Sequence, residues 1–379
     1  MTKTNMQLLA EFGQSVWLDH INRAMIESGQ LRDLIGRGLR GLTSNPSIFD
    51  KVISSTQDYD KAILTLREAD KSTFEIYDEL TVADIQGAAD AFAPVYESTD
   101  RADGYVSLEI NPQLADRSED SIQEALRLQE KVNRKNLMIK VPATEQGFPV
   151  IEELTARGMN VNATLIFSVP QYEKTAEAYL RGLSRLAQTQ KDLSQVNSVA
   201  SVFVSRIDTV VDQRLDALIQ QESNPLKKKN LISLKGKAAV SNSLQVFKKY
   251  QEIFTGDKFK ALSAHHARQQ RVLWASTSTK NPDYSDIKYV SELIVENTVN
   301  TIPEKTLNAF LDHGEVKRGF ALHAIADAAV ALDHLRTYGI DIDAVCQTLL
   351  DNGVAAFSRA FDNLFASIEE KSNILSSKS

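Results

Sequence analysis

The chain has 379 residues, 42% of them hydrophobic, with 43 Lys and Arg against 50 Asp and Glu for a net charge of −7. Enough apolar surface is present to bury a large core, which excludes a disordered chain and leaves one α/β barrel or two ordinary domains. The acidic balance, with basic residues interspersed among acids, argues against a nucleic-acid surface, since phosphate binding needs a basic footprint.

Taken in chain order, residues 1–12 read as an N-terminal helix and QSVWLDH from residue 14 as the first strand, ending at Asp19. LRGLTSN from 39 is the second strand, ending in Thr43, Ser44 and Asn45, and residues 57–97 supply two or three helices before the third. That third strand, GYVSLEINP from 104, ends at Glu109 and Asn111; the fourth, NLMIKVP from 136, ends at Lys140. MNVNATLIF from 159 carries Asn162 and Thr164. Ser168, Val169, Pro170 and Gln171 then resemble a capping box, and Tyr172, Ala176, Tyr179, Leu180 and Leu183 share one helical face. VASVFVS from 199 ends between Ser201 and Arg206, and Lys227–Lys229 follow Pro225 in an expected solvated loop. Val240, Leu244 and Phe247 share another helical face. RVLWAST from 271 ends between Ser276 and Lys280, and ENTVNTI from 296 is the last strand. Residues 341–371 form a long helix with Val345, Leu349, Phe357, Phe361, Leu364, Phe365 and Ile368 mainly on one face, read as packed against the rest or, alternatively, as a dimer face.

Eight strand segments alternating with helices, with no Pro/Gly/Ser-rich linker and no repeat, predict a single (β/α)8 TIM-type barrel. The catalytic domain would span 1–379, with helical decorations at 1–12, 57–97 and 341–371. The active site of such a barrel lies at the C-terminal ends of the strands, so the polar residues there are the ones to weigh.

Lys140 ends an apolar run, NLMIKVPAT. An ammonium in low dielectric is relieved by losing its proton, which makes the amine a nucleophile toward a carbonyl; the alternative is a lysine snorkelling into water. Glu109 interrupts YVSLEI on a central strand, where a buried carboxylate must have a partner. The others each have two readings. Asn45 before Pro46 is a helix N-cap, Asp19 can cap a helix starting near Ile21, and Asn111 before Pro112 reads as a turn. Thr164 can satisfy a backbone carbonyl, Arg206 can pair with Asp208, and Lys280 can be a solvated loop lysine. Together, an amine, two carboxylates and small hydroxyl and amide groups make a workable carbonyl site. The amine forms an iminium at a ketone carbon, the iminium accepts the electrons of a breaking carbon–carbon bond, and a carboxylate moves the hydroxyl proton. No cofactor is required.

Six histidines lack metal-ligand spacing, so no metal is expected, and the one cysteine, Cys346, reads as core packing in a reducing compartment. Residues 1–14 have no signal layout, and no run approaches the length of a membrane span; the expectation is a soluble cytoplasmic protein, monomer or homodimer, with no nucleic-acid or membrane partner.

GLTSNPSIF (41–49), VSLEINP (106–112), NLMIKVPAT (136–144), GMNVNATLIFS (158–168) and VASVFVSRID (199–208) together resemble the transaldolase family, in the family's order. WASTSTKNPDYSD, NTVNTIPEKTL and the long last helix resemble its longer bacterial branch. The resemblance implies Lys140 as the Schiff-base lysine and Asp19 as the acid/base at the C4 hydroxyl, with Glu109 and Thr164 holding the proton-shuttling water. It further implies Asn45, Asn162 and Ser201 on the hydroxyls of a dihydroxyacetone fragment and Arg206 on the phosphate. One departure stands out: shorter transaldolases carry an arginine two residues after the seventh-strand serine, Ser276, whereas this chain has Ser278, with Lys280 as a candidate replacement. A lysine cannot make the bidentate fork. The implied activity is that of the pentose phosphate pathway. A dihydroxyacetone unit moves from sedoheptulose 7-phosphate to glyceraldehyde 3-phosphate, giving erythrose 4-phosphate and fructose 6-phosphate. The rivals are a Schiff-base aldolase that releases free dihydroxyacetone and a non-catalytic sugar-phosphate-binding barrel.

Overall fold

A computed structural model describes residues 3–317 and 322–377. Eight parallel strands close into a barrel in strict chain order: β1 (Gln14–Leu18), β2 (Gly41–Thr43), β3 (Tyr105–Glu109), β4 (Leu137–Pro142), β5 (Val161–Ile166), β6 (Ser198–Phe203), β7 (Arg271–Ala275) and β8 (Thr298–Ile302). Closure is made by β1 against β8, from Gln14 opposite Thr298 to Leu18 opposite Ile302. Every strand residue except Arg271 is buried, as a sheet covered by helices outside and filled by side chains inside requires. Gly41 is needed for a packing reason, because a Cβ there would sit 2.6 Å from the indole ring of Trp17.

All eight expected strands are present. The N-terminal helix runs Asn5–Phe12 with a full capping box from Thr4 and Gln7; residues 1 and 2 lie outside the described residues. Two helices, Asp60–Glu68 and Thr73–Ser98, fill the stretch before β3. Three local expectations are corrected. Lys227–Lys229 belong to a helix, Pro225–Leu234, started by the Asn224 side chain, and exposure rather than loop structure keeps those charges solvated. Ser168 does cap the helix Val169–Leu186, but the Gln171 side chain reaches back to the amide of Phe167 instead of that of Ser168, so the box is not reciprocal. The helix after β1, Arg23–Glu27, is capped by Asn22, which leaves Asp19 free of that duty.

The last helix, Ile342–Ser376, lies against the elements that follow β2, β3 and β6 and against β5 itself, and reaches the mouth of the barrel. Cys346 donates to the carbonyl of Phe167 at 3.3 Å, and burial pushes its thiol up to about 12, so it packs as an inert side chain. Gly353 allows the helix to close on β5, since a Cβ there would come 3.0 Å from a methyl of Leu165. No described helix is long and apolar enough to cross a membrane.

Candidate active site

Strand register sets the core of the site. Glu109 on β3 is opposite Lys140 on β4, and Lys140 is opposite Asn162 on β5, so three polar side chains stand at one level on adjacent strands. Lys140 Nζ donates to the carbonyl of Ser44 at 3.2 Å and lies 3.4 Å from Glu109 Oε2, with the two side chains only 5% and 2% exposed. That contact is an ion pair without hydrogen-bond geometry, for neither oxygen of Glu109 has a hydrogen-bond partner. Burial pushes the Glu109 carboxyl up to about 7, with the Lys140 charge opposing and the Asp19 charge adding. A carboxyl with that environment takes and returns protons near neutral pH.

Thr164 is two residues beyond Asn162 on β5, and its hydroxyl is also buried without a partner, contrary to the expected bond to a backbone carbonyl. The strand is irregular there. Its register against β6 shifts between Ala163 and Ile166, and Leu165 takes a left-handed φ of 60°, a conformation that costs a non-glycine residue roughly 1–2 kcal/mol. The irregularity lies where the polar face of β5 ends.

Asp19 stands at the end of β1, partly open to a cavity and otherwise surrounded by protein, so desolvation raises its pKa while the Lys140 charge and the Thr43 hydroxyl pull it down. Thr43 Oγ1 donates to Asp19 Oδ1 at 2.9 Å and meets Thr301 Oγ1 at 2.7 Å, which links β1, β2 and β8. On the other side, Ser201 donates to Asn162 Oδ1 at 2.6 Å and Asn162 donates to Ser107 Oγ at 3.0 Å. Asn45 caps the helix Pro46–Ser55 by accepting from the Ile48 amide at 3.0 Å, which leaves its amide NH2 available to a ligand.

The cavity has a volume of about 190 Å³. Of the residues expected from the sequence, Asp19, Asn45, Lys140, Thr164, Ser201, Arg206, Ser276 and Lys280 line it, while Glu109 and Asn162 do not and sit behind Lys140 and Ser201. Asn111 caps the short turn Pro112–Leu114, as its sequence suggested, and is not among the lining residues. A larger groove of about 720 Å³ lies along the last helix and holds none of these groups.

Arg206 opens into the cavity from the first turn of the helix Ser205–Gln221. It forms no salt bridge among the described residues. Its guanidinium stands 5.1 Å from the centre of the Phe203 ring, and Asp208, the partner considered from sequence, instead accepts from Tyr289 and from the Ala239 amide. Burial lowers the pKa of Arg206, opposed by the Asp19 charge, yet a guanidinium stays protonated throughout the working range. Ser276 adopts a left-handed φ of 54° and shares a 3.1 Å contact with the Ser205 hydroxyl. Lys280 is exposed, donates to Ser278 at 2.8 Å, and reaches the same cavity.

Sequence reasoning did not single out Phe203, Thr301, Pro303 or Phe357, which also line the cavity. Phe203 was findable, since it follows Ser201 by two residues and strand alternation puts both on one face. Thr301 and Pro303 were findable by extending the strand-end rule to β8. Phe357 carried no signal beyond its place in the apolar stripe of the last helix.

Comparison with known proteins agrees with this geometry. The chain matches the family described as Transaldolase/Fructose-6-phosphate aldolase over residues 16–368. It is 42% identical over 374 residues to a transaldolase of Trichodesmium erythraeum, covering 98% of both chains. It is 42% identical over 372 residues to transaldolase 2 of Nostoc sp. PCC 7120, covering 97% of each. A transaldolase of Saccharopolyspora erythraea is also 42% identical, over 371 residues and 98% of both chains. Because the match runs from inside β1 to well within the last helix, and so takes in every strand end that faces the cavity, the chain belongs to the transaldolase/fructose-6-phosphate aldolase family.

Proposed function

We propose that this protein is a transaldolase working through a Schiff base on Lys140. The observation that carries the reading is a lysine amine on the cavity wall, almost wholly buried, paired among the described residues with the unbonded carboxylate of Glu109 and near that of Asp19. The amine attacks the ketone carbon of a ketose phosphate, and loss of water leaves an iminium. Asp19 takes the proton from the C4 hydroxyl, the C3–C4 bond breaks, and an aldose phosphate departs while its electrons are held as an enamine on Lys140. Addition to a second aldose phosphate runs the same steps backward.

The side chains around the amine support distinct duties. The unpartnered hydroxyl of Thr164 and the unpartnered carboxyl of Glu109 suit a water that is made and consumed as the iminium forms and hydrolyses. Asn45, Asn162 and Ser201 suit the hydroxyls of the dihydroxyacetone unit. Arg206, at a helix N-terminus, with Ser276 and Lys280 beside it just beyond the end of the next strand, suits a phosphate dianion. The substrates we infer are sedoheptulose 7-phosphate and glyceraldehyde 3-phosphate, with erythrose 4-phosphate and fructose 6-phosphate as products. A reducing cytoplasm suits the single buried thiol.

The test is to incubate the protein with fructose 6-phosphate, reduce with borohydride, and map the adduct by mass spectrometry. The adduct is expected on Lys140. Lys140→Arg should lose it together with transfer activity, by on the order of 10⁴-fold or more, because a guanidinium is no nucleophile. An adduct on another lysine, with Lys140→Arg still active, would overturn the assignment.

A further inference from the structure

Phe357 is the one residue of the helix Ile342–Ser376 among those lining the cavity, and its ring centre lies 5.5 Å from Lys140 Nζ. It is only 5% exposed, so the ring is a wall of the cavity and not a surface side chain folded over it.

The helix is fastened on both sides of this position by other residues. Before it, Cys346 bonds to Phe167 and Gly353 closes on Leu165. After it, Asp362 accepts from Gln113 at 2.6 Å, Ser367 donates to Asp50 at 3.0 Å, and Lys371 pairs with Asp60 at 2.7 Å. Phe361 and Phe365 stack around Tyr77 at 5.2 and 5.4 Å. Docking of the helix is therefore carried elsewhere, and the placement of an aromatic face over the amine calls for its own reason.

We propose that Phe357 is a positioning residue that keeps bulk water from the carbon bound to Lys140, and so decides whether the dihydroxyacetone unit is passed to an acceptor or lost. The inference rests on the Schiff-base reading of Lys140. Two fates compete for the enamine. In transfer, its carbon forms a bond to the acceptor's aldehyde carbon and the aldehyde oxygen takes the proton held by Asp19, which restores an iminium. In loss, the enamine carbon instead takes the proton held by Asp19, and water then adds to the resulting iminium carbon. The C–N bond then breaks with its electron pair returning to Lys140, and free dihydroxyacetone leaves. Only the second fate needs water to enter while the acceptor's place is empty, so a ring that fills the space above the amine slows it selectively. The face of the ring also favours the cationic iminium.

The experiment compares the full chain with Phe357→Leu and Phe357→Ala, using fructose 6-phosphate with and without erythrose 4-phosphate. The readout is the ratio of free dihydroxyacetone released to dihydroxyacetone transferred. Phe357→Ala should raise that ratio about tenfold or more, a preference worth little over one hydrogen bond's energy. Phe357→Leu, which still fills most of the volume, should stay near the parent ratio while trapping less borohydride adduct because the π face is gone. A ratio unchanged in Phe357→Ala, with transfer and release falling together, would overturn the proposal and leave Phe357 a purely structural residue. If Phe357→Ala gives no cooperative melt, Phe357→Val carries the same test, and an unchanged ratio there overturns it equally. Failure of the parent protein to form the Lys140 adduct would instead remove the Schiff-base reading beneath it.

Discussion

The barrel holds an ion pair at each end, one partly and one fully buried, and they are built in opposite ways. At the N-terminal end, Arg271 meets Asp103 at 2.9 Å, and both carboxylate oxygens and both terminal guanidinium nitrogens are hydrogen-bonded. Asp103 also accepts from Ser15 at 2.7 Å and Trp17 at 3.2 Å, while Arg271 also donates to Ser15 at 3.0 Å and to the carbonyl of Ala102 at 2.5 Å. At the C-terminal end, Lys140 and Glu109 are more deeply buried, 3.4 Å apart, and Glu109 has no hydrogen bond at all. Saturation offsets the desolvation of a buried charge and fixes its geometry. The unsaturated pair keeps lone pairs and protons free to be exchanged, at a cost in stability that the rest of the barrel carries.

The largest contrast should come from breaking the saturated pair. Asp103→Ala strands Arg271 and removes acceptors from Ser15 and Trp17, and should lower unfolding free energy by about 3–5 kcal/mol in a denaturant titration while turnover per folded molecule stays the same. If turnover falls as well, the two ends are coupled and the contrast fails.

Next in size, Asp19→Ala should slow carbon–carbon cleavage by roughly 10²–10⁴-fold yet leave the Lys140 adduct trappable, because in the proposed mechanism Asp19 acts only after the iminium has formed. Loss of trapping in a protein that still melts cooperatively would give Asp19 another job. Arg206→Ala should raise the Michaelis constant for phosphorylated sugars roughly 10- to 100-fold, an effect typical of a charged hydrogen bond, with unphosphorylated donors little changed. Equal losses on both substrate types would make Arg206 a support for the barrel.

A smaller effect should appear in the pH dependence. The native Glu109 carboxyl titrates at about 7 against an ordinary value of 4.5, so below its ordinary range both folded and unfolded chains bind the proton. Between the two values the folded chain alone holds it, and this contribution to stability is lost as pH rises through about 7. The transfer rate should rise over the same window as the carboxylate becomes able to accept a proton, and Glu109→Gln should abolish that limb of the profile. The smallest change is expected from Lys280→Ala, roughly two- to fivefold in the Michaelis constant for phosphorylated sugars, as an exposed point charge with a flexible stem loses little. A null result there would leave Ser276 and Ser278 as the contacts on that side.

Most of the barrel was legible because short, near-continuous apolar runs and period-3.6 faces alternate without a break, and each strand end marks itself with a polar residue. Lys140, Asp19 and Glu109 stood out for the same reason, each a charge in an apolar run. What could not be read was contact across the chain. Thr43 is visible as a strand end, but its bridge from Asp19 to Thr301 depends on β1 and β8 being neighbours at the seam. The apolar stripe containing Phe357 announces a buried helix face without saying what it is buried against, and the amine beneath it is 217 residues earlier in the chain. Arg206 next to Asp208 suggested an ion pair, whereas the tertiary fold turns Asp208 toward Tyr289.

The bridge through Thr43 also bears on how the molecule is assembled. Thr43 and Thr301 are 258 residues apart, and they meet only when the eighth strand docks on the first. Contacts that close so long a loop are entropically late and slow to form. The hydrogen-bonded setting of Asp19 is thus completed by the same event that seals the cylinder, and a refolding chain acquires it at the end of the pathway. Recovery of turnover during refolding is accordingly a direct clock for closure of the barrel.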